Sequence, residues 1–175
     1  MKAILKTVAT YQMDVYVPAV ALSEALPLFS DRPLADQEAV KYGFTTIPGT
    51  DSPVLTLSTG WATAFRVDAK VIPPSALKQE IDRLTKKFKE ETGYNPGRKE
   101  HSQLKGEALA NLLPGALAKI SVLVLAYSNR TRRLYVTGSQ KHVDRAVNAL
   151  LNVLESAQTT TIHISTPKQG ITPRL

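Results

Sequence analysis

Cysteine is absent from this 175-residue chain. Its absence excludes disulfides and thiol nucleophiles and is compatible with a reducing cytoplasm. Histidine is scarce: His101, His142 and His163 are the whole complement. No two of them stand at metal-ligand spacing, so all three are expected on the surface, with no metal site and no cofactor. There is no Gly-rich phosphate loop, dinucleotide fingerprint or nucleophile-elbow serine. Aromatics are only 6% of residues, with a single tryptophan. No RNP-like aromatic pattern accompanies the basic residues, so Trp61 and Tyr135 read as packing residues rather than base-stacking platforms. No apolar run approaches the roughly 20 residues of a membrane-spanning helix. Residues Met1 to Thr10 lack the apolar centre of a signal peptide. The expectation is a soluble cytoplasmic protein that does not engage a membrane.

What the chain does have is positive charge, and it is unevenly placed. Residues 1–97 hold eleven Lys/Arg and eleven Asp/Glu, whereas residues 98–145 hold nine basic residues against Glu100, Glu107 and Asp144. The total is +7. A one-sided basic segment is an argument about polyanionic partners, nucleic acid first among them.

Local patterning predicts an α+β fold. Ala3 to Met13 reads as a strand. Pro18 opens a helix through Leu26 that Pro27 ends or kinks. Residues 30–53, rich in Pro and Gly, read mostly as loop with short ordered pieces. Val54–Leu57 and Trp61–Val67 flank Ser58-Thr59-Gly60 as a hairpin. Pro73-Pro74 starts a long helix in which Leu77, Ile81, Leu84 and Phe88 form a narrow heptad seam. After the turn Gly93 to Gly97, a second helix from about His101 carries Leu104, Ala108, Leu109 and Leu112 and stops at Pro114-Gly115. Lys119–Tyr127 and Arg132–Thr137 form a second hairpin, followed by an amphipathic helix from Gly138-Ser139. Thr160–Ser165 reads as a last strand. The expected organisation is an antiparallel or mixed sheet with packed helices over 1–72 and 116–166. Residues 73–115 form a projecting two-helix finger, and residues 167–175 a flexible tail.

Three constellations carry candidate chemistry. Arg130, Arg132 and Arg133 sit on or beside a β-turn, with Lys119 starting the same hairpin; few acids offset them, so they are candidate phosphate ligands. Arg98, Lys99 and Lys105 form a second basic patch at the fingertip. The cations of the long helix stand among acids and read as a solvated face with intrahelical pairs. Asp51 with Asp68-Ala69-Lys70 is the one nuclease-like arrangement, since two-metal phosphodiester chemistry needs carboxylates and often a lysine. Turn and strand-surface roles account for those residues more simply, and no catalytic residue is assigned.

The order of short motifs resembles a known family. Lys41-Tyr42-Gly43-Phe44 and Pro48-Gly49 are followed by a hairpin, then by Ile72-Pro73-Pro74 leading to Leu77-Lys78-Gln79. A charged helix, a basic linker, Leu112-Leu113-Pro114-Gly115-Ala116-Leu117, a strand hairpin and an amphipathic helix complete the series. Over about Lys6 to Pro167 this resembles the N-terminal half of the RdgC family of bacterial recombination-associated proteins. The resemblance implies a non-enzymatic, nucleoid-associated protein that binds duplex DNA, and possible single strands, with little sequence preference. It also implies dimeric rings and restraint of RecA-promoted recombination. It places an oligomer contact near Leu112, Leu113 and Leu117, where family members carry an aromatic at the Leu117 position. Family members run to roughly twice this length, and the missing half makes the second ring contact. A homodimer or higher oligomer is expected, and a short form would suit a phage. Two alternatives stand beside it. One is a protein-binding module using the Leu77/Ile81/Leu84/Phe88 seam or the fingertip to engage RecA or a recombination nuclease. The other is a metal-dependent nuclease built on Asp51, Asp68 and Lys70.

Overall fold

The computed structural model describes residues 8–13, 16–158 and 164–165. The first part of the predicted N-terminal strand, His163 and the predicted tail lie outside the described residues. In chain order the elements are β1 (Val8–Met13), α1 (Ala19–Ala25), β2 (Val40–Thr45), β3 (Val54–Leu57), β4 (Gly60–Val71) and α2 (Pro74–Thr92). They continue as α3 (Arg98–Leu112), β5 (Leu117–Ser128), β6 (Arg133–Thr137), α4 (Gln140–Gln158) and β7 (Ile164–Ser165). The strands form one sheet in the order β2-β4-β5-β6-β1-β7, with β3 also paired to β4. The fold is α+β, as the pattern predicted. β2 is an ordered piece within the Pro/Gly-rich stretch.

The chain divides into two compact units. The first comprises Met1–Ser30, Tyr42–Val67 and Ser121–Leu175; the second comprises Asp31–Lys41 and Asp68–Ile120. In the first unit the core is built on alternation. Leu123, Leu125 and Tyr127 on β5 and Leu134 and Val136 on β6 are buried, while their immediate neighbours are not. Residues two apart point to one face of a strand, so these five line a single face. On β4, Trp61 and Phe65 join them: Trp61 stacks on Tyr127 with ring centroids 5.3 Å apart, and Phe65 meets Phe44 edge-on at 5.1 Å. The Trp61 indole N–H donates to the Val17 carbonyl at 2.9 Å, which satisfies the one polar group of a wholly buried ring. The packing role read for Trp61 is correct. Helix α4 supplies Val143, Ala146, Val147, Leu150, Val153 and Leu154, all buried at helical spacing.

The second unit holds the helical pair. Pro74 stands in the first turn of α2, where its missing N–H costs nothing, and Gly93 ends the helix at φ 77°. The seam packs against α3: Leu84, Leu104 and Ala108 are buried together, with Leu77, Ile81 and Phe88 against them. Helix α3 starts three residues before the expected position. The Glu100 carboxylate accepts the Gly97 N–H at 2.5 Å, a cap that local apolar spacing does not reveal.

Candidate nucleic-acid interface

The most basic loop among the described residues is Asn129 to Arg132, between β5 and β6. Strand pairing places Ser128 opposite Arg133, so four residues make the turn. The last of them, Arg132, lies in the left-handed region at φ 52° and is the one such non-glycine residue among those described. That conformation disfavours a side chain with a Cβ by about 1–2 kcal/mol. The loop is tied from both sides. On one side the Asn129 N–H donates to the Thr59 carbonyl at 2.7 Å. On the other, the Met13 N–H donates to the Arg132 carbonyl at 2.9 Å, and the Gln12 amide to the Thr131 carbonyl at 3.3 Å. Gly60 makes the first contact possible: a Cβ there would stand 1.8 Å from the Tyr127 carbonyl oxygen. The outcome is a hairpin tip held in place with Arg130, Arg132 and Arg133 all exposed. The side-chain oxygen of Asn129 is buried beside them without a hydrogen-bond partner.

Among the described residues the first unit contains six Lys/Arg and four Asp/Glu, the second twelve and ten, so the two balances are alike and the difference lies in where the cations cluster. Many cations of the second unit meet acids: Arg83 pairs Glu80 at 2.7 Å, Arg32 pairs Glu38 at 2.8 Å, and Lys86 and Lys87 face Glu90 and Glu91 one turn on. The Arg83 guanidinium and the Asn111 amide hold the Glu80 carboxyl down to about 2, and Glu80 thereby links α2 to α3. Arg98, Lys99 and Lys105 are exposed on α3. Arg98 and Lys105 are two turns apart on one side, about 10 Å along the axis.

Lys119 does not share the arginine tip. Only Leu125–Ser128 of β5 pair with β6, and Lys119 is the third residue of a 12-residue strand. It belongs to the second unit, nine residues before Ser128 in the chain. The strand is longer than its apolar run suggested, because Leu117 and Ala118 extend it while exposed. Leu112 and Leu117 line an open apolar pocket of about 310 Å³ in the second unit, together with Val71, Ile72, Pro73, Ala76, Gly115 and Ala116. Leu117 itself is 84% exposed. Leu113 is half-buried as the helix cap and is not part of the lining.

Asp51 is exposed in the first unit, while Asp68 and Lys70 belong to the second. The Lys70 ammonium donates to the Ala35 and Asp36 carbonyls, each at 2.8 Å, and so pins a loop. Among the described residues no group of three or more His, Asp or Glu is arranged to hold a metal ion. His101 is exposed and His142 half-buried. The heptad seam packs against α3, with Leu84 buried and Leu77, Ile81 and Phe88 partly so. What sequence reasoning missed is the clamp on the arginine tip: Gln12, Met13 and Thr59 are distant in sequence and carry no local signal.

A family model described as "Putative exonuclease, RdgC" matches residues 4–172. Among curated proteins the chain is similar to the recombination-associated protein RdgC of Pseudomonas putida (strain GB-1), 27% identical over 157 residues, which are 86% of this chain and 51% of that protein. The RdgC protein of Pseudomonas aeruginosa (strain PAO1) is 27% identical over 147 residues, 82% of this chain and 48% of that one. That of Enterobacter sp. (strain 638) is 26% identical over 120 residues, 66% and 40%. The chain spans about half the length of the curated relatives it matches.

Proposed function

This chain belongs to the RdgC family, and we propose that it binds DNA through the phosphate backbone, with little sequence preference, in the setting of homologous recombination. Relatives named as recombination-associated proteins supply the setting. The observation that carries the binding is the clamped tip with its three exposed arginines. A guanidinium fixed on a held loop meets a phosphate with little ordering cost, and such contacts read no sequence. Arg98, Lys99 and Lys105 form a second, weaker patch. DNA occupied in this way is withheld from RecA or from nucleases, at the nucleoid.

The test is anisotropy of labelled duplexes of unrelated sequence across a salt series. Neutralising about five phosphates gives a slope of log affinity on log salt near −4 to −5. Replacing Arg130, Arg132 and Arg133 by Ala lowers its magnitude by up to about 3. An unchanged slope removes the tip from the interface.

A second reading concerns assembly. Leu117, far more exposed than a leucine of its size needs to be, stands at the rim of an apolar pocket. We propose self-association through this rim. Sedimentation of wild type and Leu117→Glu over a concentration range decides it: a mass that is equal in both and independent of concentration refutes the idea. We further propose that the DNA-binding activity involves no phosphodiester cleavage by Asp51, Asp68 or Lys70. Mg²⁺-dependent release of nucleotides from linear duplex, abolished in Asp51→Asn or Asp68→Asn, overturns that.

A further inference from the structure

We propose that the face of the first unit's sheet not used by α1 and α4, centred on Tyr135, takes bases of single-stranded DNA by stacking. The proposal rests on the DNA-binding reading above and adds to it a separate surface, ring-based rather than ionic.

The two faces of the sheet can be told apart residue by residue. Arg145 of α4 lies over the Tyr42 ring at 5.8 Å, and Tyr42 and Phe44 both meet Phe65. Trp61 on the same face stacks on Tyr127 and bonds to Val17 just before α1. The helices therefore take the face of Tyr127, Leu134 and Val136. Tyr135 lies between the last two and points the other way. Its ring is not a core ring: Leu134 and Val136 are fully buried, whereas Tyr135 is only partly so.

What surrounds the ring favours a nucleotide. Tyr135 pairs with Thr10 on one side and Ala126 on the other. Both neighbours are small, so the aromatic ring stands above them. The adjoining row toward the arginine loop is Gln12, Arg133 and Ser128. It holds a cation and two neutral hydrogen-bonding groups, and neither row contains a carboxylate. Arg133 is two residues from Tyr135 on the same face, about 7 Å, and Arg130 and Arg132 follow directly in the loop. A base on the ring thus has its phosphate within reach of a guanidinium. On the other side of Tyr135 the row of Val8 and Thr137 adds a half-exposed valine, so the ring is flanked by an apolar contact on one side and a cation on the other. Every base offers a π-face, so such stacking tolerates any sequence. Duplex DNA keeps its bases paired and stacked, which leaves the ring without a partner.

The experiment compares labelled oligothymidine with a duplex of matched length, by anisotropy at fixed salt, for wild type, Tyr135→Ala, Tyr135→Phe and the triple arginine variant. Circular dichroism checks that each variant is folded. Tyr135→Ala is expected to bind the single strand about tenfold more weakly, the size of one base–aromatic stack. It leaves duplex affinity and both salt slopes unchanged, and Tyr135→Phe binds like wild type. Photocrosslinking to 5-iodo-deoxyuridine oligonucleotide, mapped by mass spectrometry, is expected to mark Tyr135. Loss of affinity on both DNAs, loss on neither, or failure of Phe to substitute overturns the proposal. If the arginine variant loses binding while Tyr135→Ala does not, this inference falls and the DNA-binding reading stands. If wild type binds neither DNA at low salt, the reading itself falls.

Discussion

Arg132 is the residue at which stability and binding are expected to part. Its φ of 52° is a conformation in which a residue with a Cβ is disfavoured by about 1–2 kcal/mol. Replacing it by glycine relieves that strain, and the added freedom of the unfolded chain offsets about 0.5–1 kcal/mol of the gain. Arg132→Gly is thus expected to stabilise the fold by about 0.5–1 kcal/mol, or a melting temperature rise of about 2–4 °C per kcal/mol in a chain of this size. The Met13 N–H still finds the carbonyl of residue 132, because that bond is made by backbone alone. The same change removes one guanidinium from the tip, so the magnitude of the salt slope for duplex binding falls by about 0.9. A variant that is more stable yet binds less well is the signature of a residue kept for its charge. Arg132→Lys, which retains both strain and charge, is the control and leaves both quantities near wild type. Urea unfolding followed through Trp61 fluorescence gives the stability, and anisotropy against salt gives the slope. A destabilised Gly variant, or an unchanged slope, refutes the reasoning.

Three further outcomes follow from the packing. Gly60→Ala forces a Cβ onto the Tyr127 carbonyl and is expected to destabilise by about 3 kcal/mol, at the upper end for overpacking; a urea midpoint near wild type contradicts this. Leu84→Ala empties a site that is 4% exposed between α2 and α3 and should cost about 2–5 kcal/mol, seen as loss of hydrogen-exchange protection in both helices; protection confined to its former level shows that the pair is not held by this seam. Glu80 has a folded value of about 2 against its ordinary 4.5. Its contribution is therefore complete above the ordinary value and is lost as pH falls through about 2, because the unfolded state takes up the proton first. An NMR titration of the Glu80 carboxyl with a midpoint near 4.5, or an acid limb identical in Glu80→Gln, contradicts the Arg83 and Asn111 bonds.

The elements and the site were legible to different depths. Every regular element with a strong period was visible locally. The seam from Leu77 to Phe88, the alternation in β5 and the stripe of α4 are each fixed by the geometry of one segment. The cap that starts α3 three residues early was hidden, since it depends on a carboxylate reaching back rather than on apolar spacing. The arginine cluster was legible as composition. Lys119 stands near the start of β5, the first strand of that hairpin, and the strand begins earlier than its apolar run suggests, through exposed Leu117 and Ala118.

By itself the sequence determined the α+β class, the helical pair with its apolar seam, the positive balance and the presence of an Arg-rich turn. These are properties of short windows, set by periodicity, turn chemistry and counted charge. Only the tertiary structure decided which charges share a unit, what holds the turn and which way Tyr135 faces. The clamp joins Asn129 to Thr59 and Arg132 to Met13, contacts whose partners are brought together by sheet order rather than by proximity in the chain. Register decides the face of Tyr135, and a shift of one residue in pairing would turn it into the core. Information of that kind resides in the pairing of strands, which no single segment contains.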